Sequence, residues 1–233
     1  MIARNVMRRV NRGIVLAVIL VVGLISYLIY DNARFGTEKI AIQNMITEYA
    51  KAAGDLNILP AQEQKAGESP SNDAIRKKLQ ENRAVISKYL TEQNSYNSAL
   101  DHATRSLDNV FSDNTAKNAY VTECEYTITS VKNIKKTGPK HATAEITVQV
   151  QLKTIGKPSF FTLISNHYID EQYYGYGDPH KPEGSVEIVD TKRYTYTWEF
   201  TMYNATLVKQ AGKWKFAGTG GLGYNTNGKL VEE

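Results

Sequence analysis

The sequence predicts an α+β protein behind one membrane-spanning helix: about three helices packed on a curved antiparallel sheet. Three observations carry this expectation. An uncharged apolar run lies near the N-terminus. Residues 37–111 then repeat their apolar side chains at helical spacing. From residue 120 the repeat changes to two, the period of a half-buried strand.

The apolar run, residues 14–30, reads IVLAVILVVGLISYLIY. At 1.5 Å per residue, a span over 13–30 covers roughly 26 Å, close to a thin hydrocarbon core. Its Leu, Ile and Val side chains favour insertion by roughly 4–7 kcal/mol, and Tyr27 and Tyr30 lie near the exit, where amphipathic rings settle. Arg4, Arg8, Arg9 and Arg12 precede the span and Asp31 follows it. Residues 1–12 are therefore expected to be a basic cytoplasmic tail, and the C-terminal bulk to lie outside the cytoplasm on a single-pass cell-membrane anchor. A cleaved signal peptide competes with this reading, but the run is long for one and Asp31-Asn32-Ala33 is a poor cleavage site. The Arg-rich, acid-free start also suits a mitochondrial leader.

The chain has 233 residues, with 28 Lys and Arg against 24 Asp and Glu. The four arginines of the tail account for the whole excess, so the rest is neutral and has no net field to draw it to nucleic acid. The one cysteine, Cys124, cannot form an intrachain disulfide. It alternates with Tyr126 and Ile128 and reads as a small core hydrophobe, with a nucleophilic or intermolecular role as the alternative.

Within the folded part, 31–218, residues 37–53 place Ile42, Met45, Ile46, Tyr49 and Ala53 on one helical stripe, with Thr37 as cap and Gly54 as stop. Pro60, Gly67 and Pro70 mark a loop. A second helix is expected over 73–92 (Ile75, Leu79, Ile86, Leu90). A third is expected over 95–111, capped by Ser95, with Tyr96, Leu100, Ala103, Leu107, Val110 and Phe111 on one face.

The strands follow. Ala142, Ala144, Ile146, Val148, Val150 and Leu152 alternate with polar residues, as in a strand with one wet face. Residues 120–134 precede it, with a phase shift toward Val131 that implies a bulge. A third strand over 191–208 alternates Tyr194, Tyr196, Trp198, Phe200 and Met202 with Thr and Glu, and shifts phase at Asn204. Gln210-Ala211-Gly212 turns the chain into Lys213–Ala217. The glycine-rich end, 219–233, reads as a flexible tail.

This order of elements resembles the nuclear transport factor two-like cone domains, in which N-terminal helices lie in the concavity of a curved sheet. The echoes are Ile42–Ala53 running into Gly54-Asp55, the pair Thr122–Ile134 and His141–Lys153, and the closing hairpin "ATLVKQAGKWKFAG", Ala205–Gly218. A cone behind a single anchor is similar to scaffold subunits of bacterial type IV secretion and conjugation machines. The cone that precedes the catalytic module of some penicillin-binding proteins is a more distant likeness, since no such module follows here. The resemblance implies an extracytoplasmic interaction or scaffold module, whose partners are the bilayer through 13–30, other envelope proteins and, as an open alternative, further copies of itself. It implies no cofactor.

Residues 155–190 form an aromatic insertion. Phe160, Phe161, Tyr168, Tyr173, Tyr174 and Tyr176 are candidate partner-binding residues, because aromatic side chains concentrate at interfaces. The alternative is that these rings fold back as a lid on the cone. If the cone is instead a ligand-binding or sensory module, Tyr126, Tyr194, Tyr196 and Trp198 would line its apolar pocket. No catalytic or metal site is expected. His102, His141, His167 and His180 form no i, i+4 pair, and His167 near Asp170 is a weak signal. Asp101 and His102 are the nearest acid–base candidates. An enzyme would need such a group buried inside the cone.

Overall fold

The structure is a computed structural model, and it describes residues 12–65, 68–92, 98–163, 168–169, 191–218 and 221–232. The chain divides into two units, Met1–Ile42 and Gln43–Glu233.

From Arg12 onward the first unit is helical. Helix α1 (Arg12–Ala53) begins here, and it is the one described helix long and apolar enough to cross a membrane. Ile14, Leu16, Leu20, Leu24 and Ile29 are all more than half exposed. A helix apolar on every side and bare of protein suits a lipid surround and fits a single-pass anchor. The expected restart at Thr37 does not occur, since α1 continues through Asp31–Gly36. A lone Gly36 costs only about 1 kcal/mol in a helix, and no proline is present to stop it.

The second unit starts with the last turns of α1, where Ile46, Tyr49, Ala50 and Ala53 are buried. A 3₁₀ turn, Gly54–Asn57, follows. Gly54 is required by a close approach: a methyl group there would overlap the carbonyl oxygen of Cys124. Helix α2 (Asn72–Ile86) is capped by Ser71, whose hydroxyl accepts from the Ala74 N–H. Its Ile75 and Leu79 pack on Leu59, Phe111, Tyr120 and Ile155. Helix α3 (Ala99–Lys117) is capped by Ser98 and closed by Asn118 in the left-handed conformation, φ 51°. Leu100, Ala103, Leu107, Val110 and Phe111 are buried as their spacing predicts.

Three helix boundaries differ from expectation, one of them the end of α3, which runs on to Lys117 rather than 111. Ser95 and Tyr96 lie outside the described residues, and Ser98 caps α3. Helix α2 stops at Ile86 rather than 92 because a sheet edge captures the following backbone. The Phe216 N–H donates to the Tyr89 carbonyl at 2.8 Å, and the Thr91 N–H donates to that of Phe216 at 2.9 Å.

The sheet contains β1 (Tyr120–Gly138), β2 (His141–Ile155), β5 (Arg193–Gln210), β6 (Lys213–Gly218) and β7 (Gly221–Glu232), all antiparallel to their neighbours. The short strands β3 (Phe160–Phe161) and β4 (Tyr168–Ile169) pair separately. The order is β1-β2-β5, and both β6 and β7 then line the free side of β5. Gly218 pairs with Thr206 and Gly221 with Tyr203, so β6 and β7 succeed each other along one lane. This corrects the expected flexible tail over 219–233: Gly221–Glu232 is strand. Gly223 is there for packing, since the Tyr203 ring lies where its side chain would go.

Both phase shifts are bulges. The register of β1 on β2 slips between Ile128 and Ser130 and again between Lys132 and Lys135, where Asn133 has φ 52°. Opposite Ala144–Ile146, β5 carries an extra residue, and Asn204 there has φ 52°. Asparagine tolerates this conformation better than other non-glycine residues, and each bulge bends its strand. Inward residues of β2 and β5 are buried and their outward neighbours are mostly polar and partly exposed, so the helices cover one face of an α+β, cone-like fold.

The β5–β6 loop has two residues, Ala211 (φ 46°) and Gly212 (φ 81°). Positive φ at both is the type I′ turn, and alanine is strained in it. Ala211→Gly should therefore stabilise the fold by about 0.5–1 kcal/mol. Gly54→Ala should destabilise it by about 1–3 kcal/mol through the clash at Cys124. Urea unfolding of the detergent-solubilised chain, followed by Trp198 and Trp214 fluorescence, measures both.

Candidate functional site: the filled concave face

The concave face of the sheet is built by alternation. Tyr194, Tyr196, Trp198 and Phe200 from β5 point inward beside Val148, Val150 and Leu152 from β2, and Tyr126 joins them from β1. The four rings expected to line a pocket are therefore on one face, but they are buried, at 3–6% exposure. The chain itself covers them. After β2, Gly156 takes φ 66° and the segment Ser159–Leu163 passes over the rings. The Phe160 ring meets Trp198 edge-on at 6.1 Å and Tyr196 at 6.4 Å. Edge-to-face geometry places the positive ring edge on a π face and adds about 0.5–1.5 kcal/mol to the burial of Phe160.

Strand β3 makes no ladder with the main sheet, so its main-chain groups need other partners. Side chains supply them at every second residue. Asn114 makes a reciprocal pair with Ser159: its amide donates to the Ser159 carbonyl at 2.9 Å and its oxygen accepts from the Ser159 N–H at 2.6 Å. At Phe161, the Asn57 oxygen accepts from the N–H at 2.6 Å and the Tyr126 hydroxyl donates to the carbonyl. The Tyr49 hydroxyl donates to the Leu163 carbonyl. Asn57 also donates to the Tyr126 oxygen at 2.9 Å and approaches Cys124 Sγ at 3.6 Å. Helices, 3₁₀ turn and β1 thus converge on one five-residue strap.

These groups hold their protons. Burial, with Tyr89 nearby, raises Tyr49 far above its usual range. Burial first, and Cys124 second, does the same for Tyr126. Burial also pushes Tyr196 up to about 12. The half-buried Cys124 goes up to about 12, chiefly through burial and against hydrogen bonds from Tyr126 and Asn57, so it is a neutral thiol at physiological pH. Among the described residues, the buried polar side chains are amides and hydroxyls, with no carboxylate or imidazole. No group of three or more His, Cys, Asp or Glu among them is arranged to hold a metal. Asp101 sits at the exposed start of α3, 3.9 Å from Arg83.

The partner-binding residues expected in the insertion separate. Phe160 and Phe161 are fully buried, which corrects their assignment as contact residues: they close the concave face from within. Tyr168 lies in β4, opposite Phe161. Tyr173, Tyr174 and Tyr176 lie outside the described residues, as do His167 and Asp170. Sequence reasoning missed Asn57 and Asn114, and it placed Tyr49 on the apolar stripe of α1 without its bond to Leu163. The available signal was weak: Asn57 is a lone amide between Leu56 and Ile58, and Asn114 follows the apolar stripe of α3.

Two outcomes follow from this geometry. Asn57→Leu strands the Phe161 N–H and should cost about 2–4 kcal/mol, whereas Phe160→Ala opens a cavity and should cost about 3–5 kcal/mol, both read as urea midpoints. Because the folded thiol is raised from 9.0 to about 12, Cys124 contributes stability below pH 9 that is lost as pH rises toward 12. Its alkylation by iodoacetamide at pH 8.5 should be roughly a thousandfold slower in the folded than in the urea-unfolded chain.

No protein-family model matches the sequence, and no curated protein matches it. Among solved structures, a candidate scytalone dehydratase from Novosphingobium aromaticivorans superposes with a TM-score of 0.40 at 12% identity, covering 84% of this chain and 88% of that one. The Kfla4162 protein from Kribbella flavida superposes at 0.26 with 11% identity, over 57% and 60%. Both superpositions are too loose to carry a functional argument, so the cone-like α+β fold stands on the topology above.

Proposed function

We propose that this chain is a membrane-anchored interaction module, a filled cone displayed outside the cytoplasm that works through its outer surface in an envelope assembly such as a secretion or conjugative transfer complex. The observation that carries the reading is the strap. A ligand-binding cone needs an open apolar pocket at Tyr126, Tyr194, Tyr196 and Trp198, and Phe160 stands against two of these rings. With its interior taken by its own chain, the domain has its outer surface to offer. An interaction role also suits a site whose buried polar side chains, among the described residues, are amides and hydroxyls, with the half-buried Asp113 carboxylate tied up by the Ser159 hydroxyl and Lys117.

The outward orientation rests on Arg4, Arg8, Arg9 and Arg12 before the span and Asp31 after it. A phosphatase reporter fused after Glu233 should be active outside the cytoplasm. Activity of a cytoplasm-only reporter at that position would overturn the orientation.

The contact surface is tested in intact membranes with a photo-crosslinking residue at Tyr173 or Tyr176, and with Phe161 as the buried control. A discrete protein adduct from the tyrosine positions, absent at Phe161, supports the interaction module. Adducts confined to the chain itself at all three positions would overturn it and favour a ligand-binding cone closed by its insertion.

A further inference from the structure

The charge of the second unit is neutral in sum and uneven in place. The β1–β2 hairpin end, residues 131–144, carries Lys132, Lys135, Lys136 and Lys140 with His141 and no carboxylate. The β5–β6 hairpin, residues 204–218, carries Lys209, Lys213 and Lys215, again with no carboxylate. The sheet brings these segments together. His141 pairs with Val208, Ala142 with Leu207 and Lys136 with Ala142, and the Lys209 N–H donates to the Lys140 carbonyl at 2.8 Å. Lys132, Lys135, Lys136, Lys140 and Lys213 are exposed. Lys209 lies over the Trp214 ring at 5.9 Å, and Lys215 donates to the Ser87 carbonyl. The nearest carboxylate along β2, Glu145, stands directly opposite Lys132 on β1 and accepts from the Asn133 amide, so it offsets part of the charge at the inner margin of the patch and leaves Lys135, Lys136 and Lys140 beyond it. With seven lysines at one end, the rest of the folded domain is net acidic.

We infer that this lysine-bearing end of the sheet is a docking surface for an anionic bilayer. The cations are all lysine, compact charges without the planar fork that reads one carboxylate in a fixed geometry. Such a set suits a fluid array of phosphate headgroups better than a single directed partner. The hairpins that carry it are held rigid by the β1-β2-β5-β6 ladder, so the charges form a surface of fixed shape. The anchor keeps a bilayer at high effective concentration, so attractions of about fivefold per lysine suffice to populate the contact. This inference rests on the anchor alone and needs no protein partner.

The test uses the purified full chain in vesicles of phosphatidylcholine, with and without phosphatidylglycerol. A fluorophore is placed at exposed Thr137 through Thr137→Cys, while the neutral thiol of Cys124 reacts slowly. Quenching by headgroup spin-labelled lipid reports proximity. Quenching should rise several-fold with phosphatidylglycerol, fall as salt is raised, and be lost in Lys132→Gln/Lys135→Gln/Lys136→Gln/Lys140→Gln. Lys65→Gln/Lys77→Gln should leave it unchanged. Equal quenching on both vesicles, insensitivity to salt in the wild-type chain, or an equal loss in the Lys65/Lys77 pair would overturn the inference. Since no other protein is present, failure here leaves the protein-contact reading intact, and failure of the crosslinking experiment leaves this one intact.

Discussion

The second unit depends on the satisfaction of one short piece of backbone. Ser159–Leu163 crosses an apolar face without joining its ladder, and a buried peptide group without a partner costs about 1–3 kcal/mol. Asn57, Asn114, Tyr126 and Tyr49 meet those groups from four different elements. Each anchor therefore ties the strap to an element far away in sequence. Asn57 lies 104 residues from Phe161 and Tyr49 lies 114 from Leu163. The helices are held over the concavity by their own burial and also by what they hold. The same bonds place Phe160 against Trp198, so apolar packing and polar satisfaction support one geometry. Consistency across levels of this kind is what specifies a single native state.

Bending of the sheet is the second constraint, and asparagine supplies part of it. A long flat sheet would leave a shallow face that one strap and a few helices could not close. Bulges at Asn133 and Asn204 turn the strands. The Asn204 bulge sits where β6 gives way to β7 on the neighbouring lane, between the pairs Thr206–Gly218 and Tyr203–Gly221. The extra residue on β5 and the break in its partner lane thus coincide. The bulges on β1 also fall on an outer strand, where they and its lysines discourage pairing with a further chain.

The sequence made the periodic parts legible and concealed the aperiodic ones. The alternation in β2 and β5, the phase shifts at Val131 and Asn204 and the apolar stripe of α3 reported directly on burial, because burial set them. Three features left no period to read. The glycines at 221 and 223 looked like a loose end, but β7 pairs along β5, and the ring that fills the space over Gly223 comes from the neighbouring strand. Helix α2 ended early because Phe216, 130 residues beyond Ile86, captures the next turn. Phe160 and Phe161 looked like contact residues because an aromatic pair between proline and polar residues has no alternation to betray its buried face. The site was legible in its sheet half, Tyr126, Tyr194, Tyr196 and Trp198. Its other half, the amides and Tyr49, is defined by long-range contacts that pattern does not encode.

The filled interior and the uneven surface bear on each other. The Phe160 ring, packed on Trp198 and Tyr196, takes space on the concave face that a ligand would otherwise occupy. On the proposed reading recognition comes from the outside, where a neutral domain has little long-range field. Segregating charge restores a local field without changing the total, and confining seven lysines to two adjoining hairpins does so at one end of the sheet. Free in solution, such a patch would bind weakly and be screened by salt within about 8 Å. Behind a membrane anchor of the kind this helix suits the demand is smaller, because insertion of the helix would already meet the entropy of bringing the domain to a surface. If the lysine-bearing end docks as inferred, weak, short-range attractions set which face of the domain meets the bilayer and which face the proposed protein contact would use.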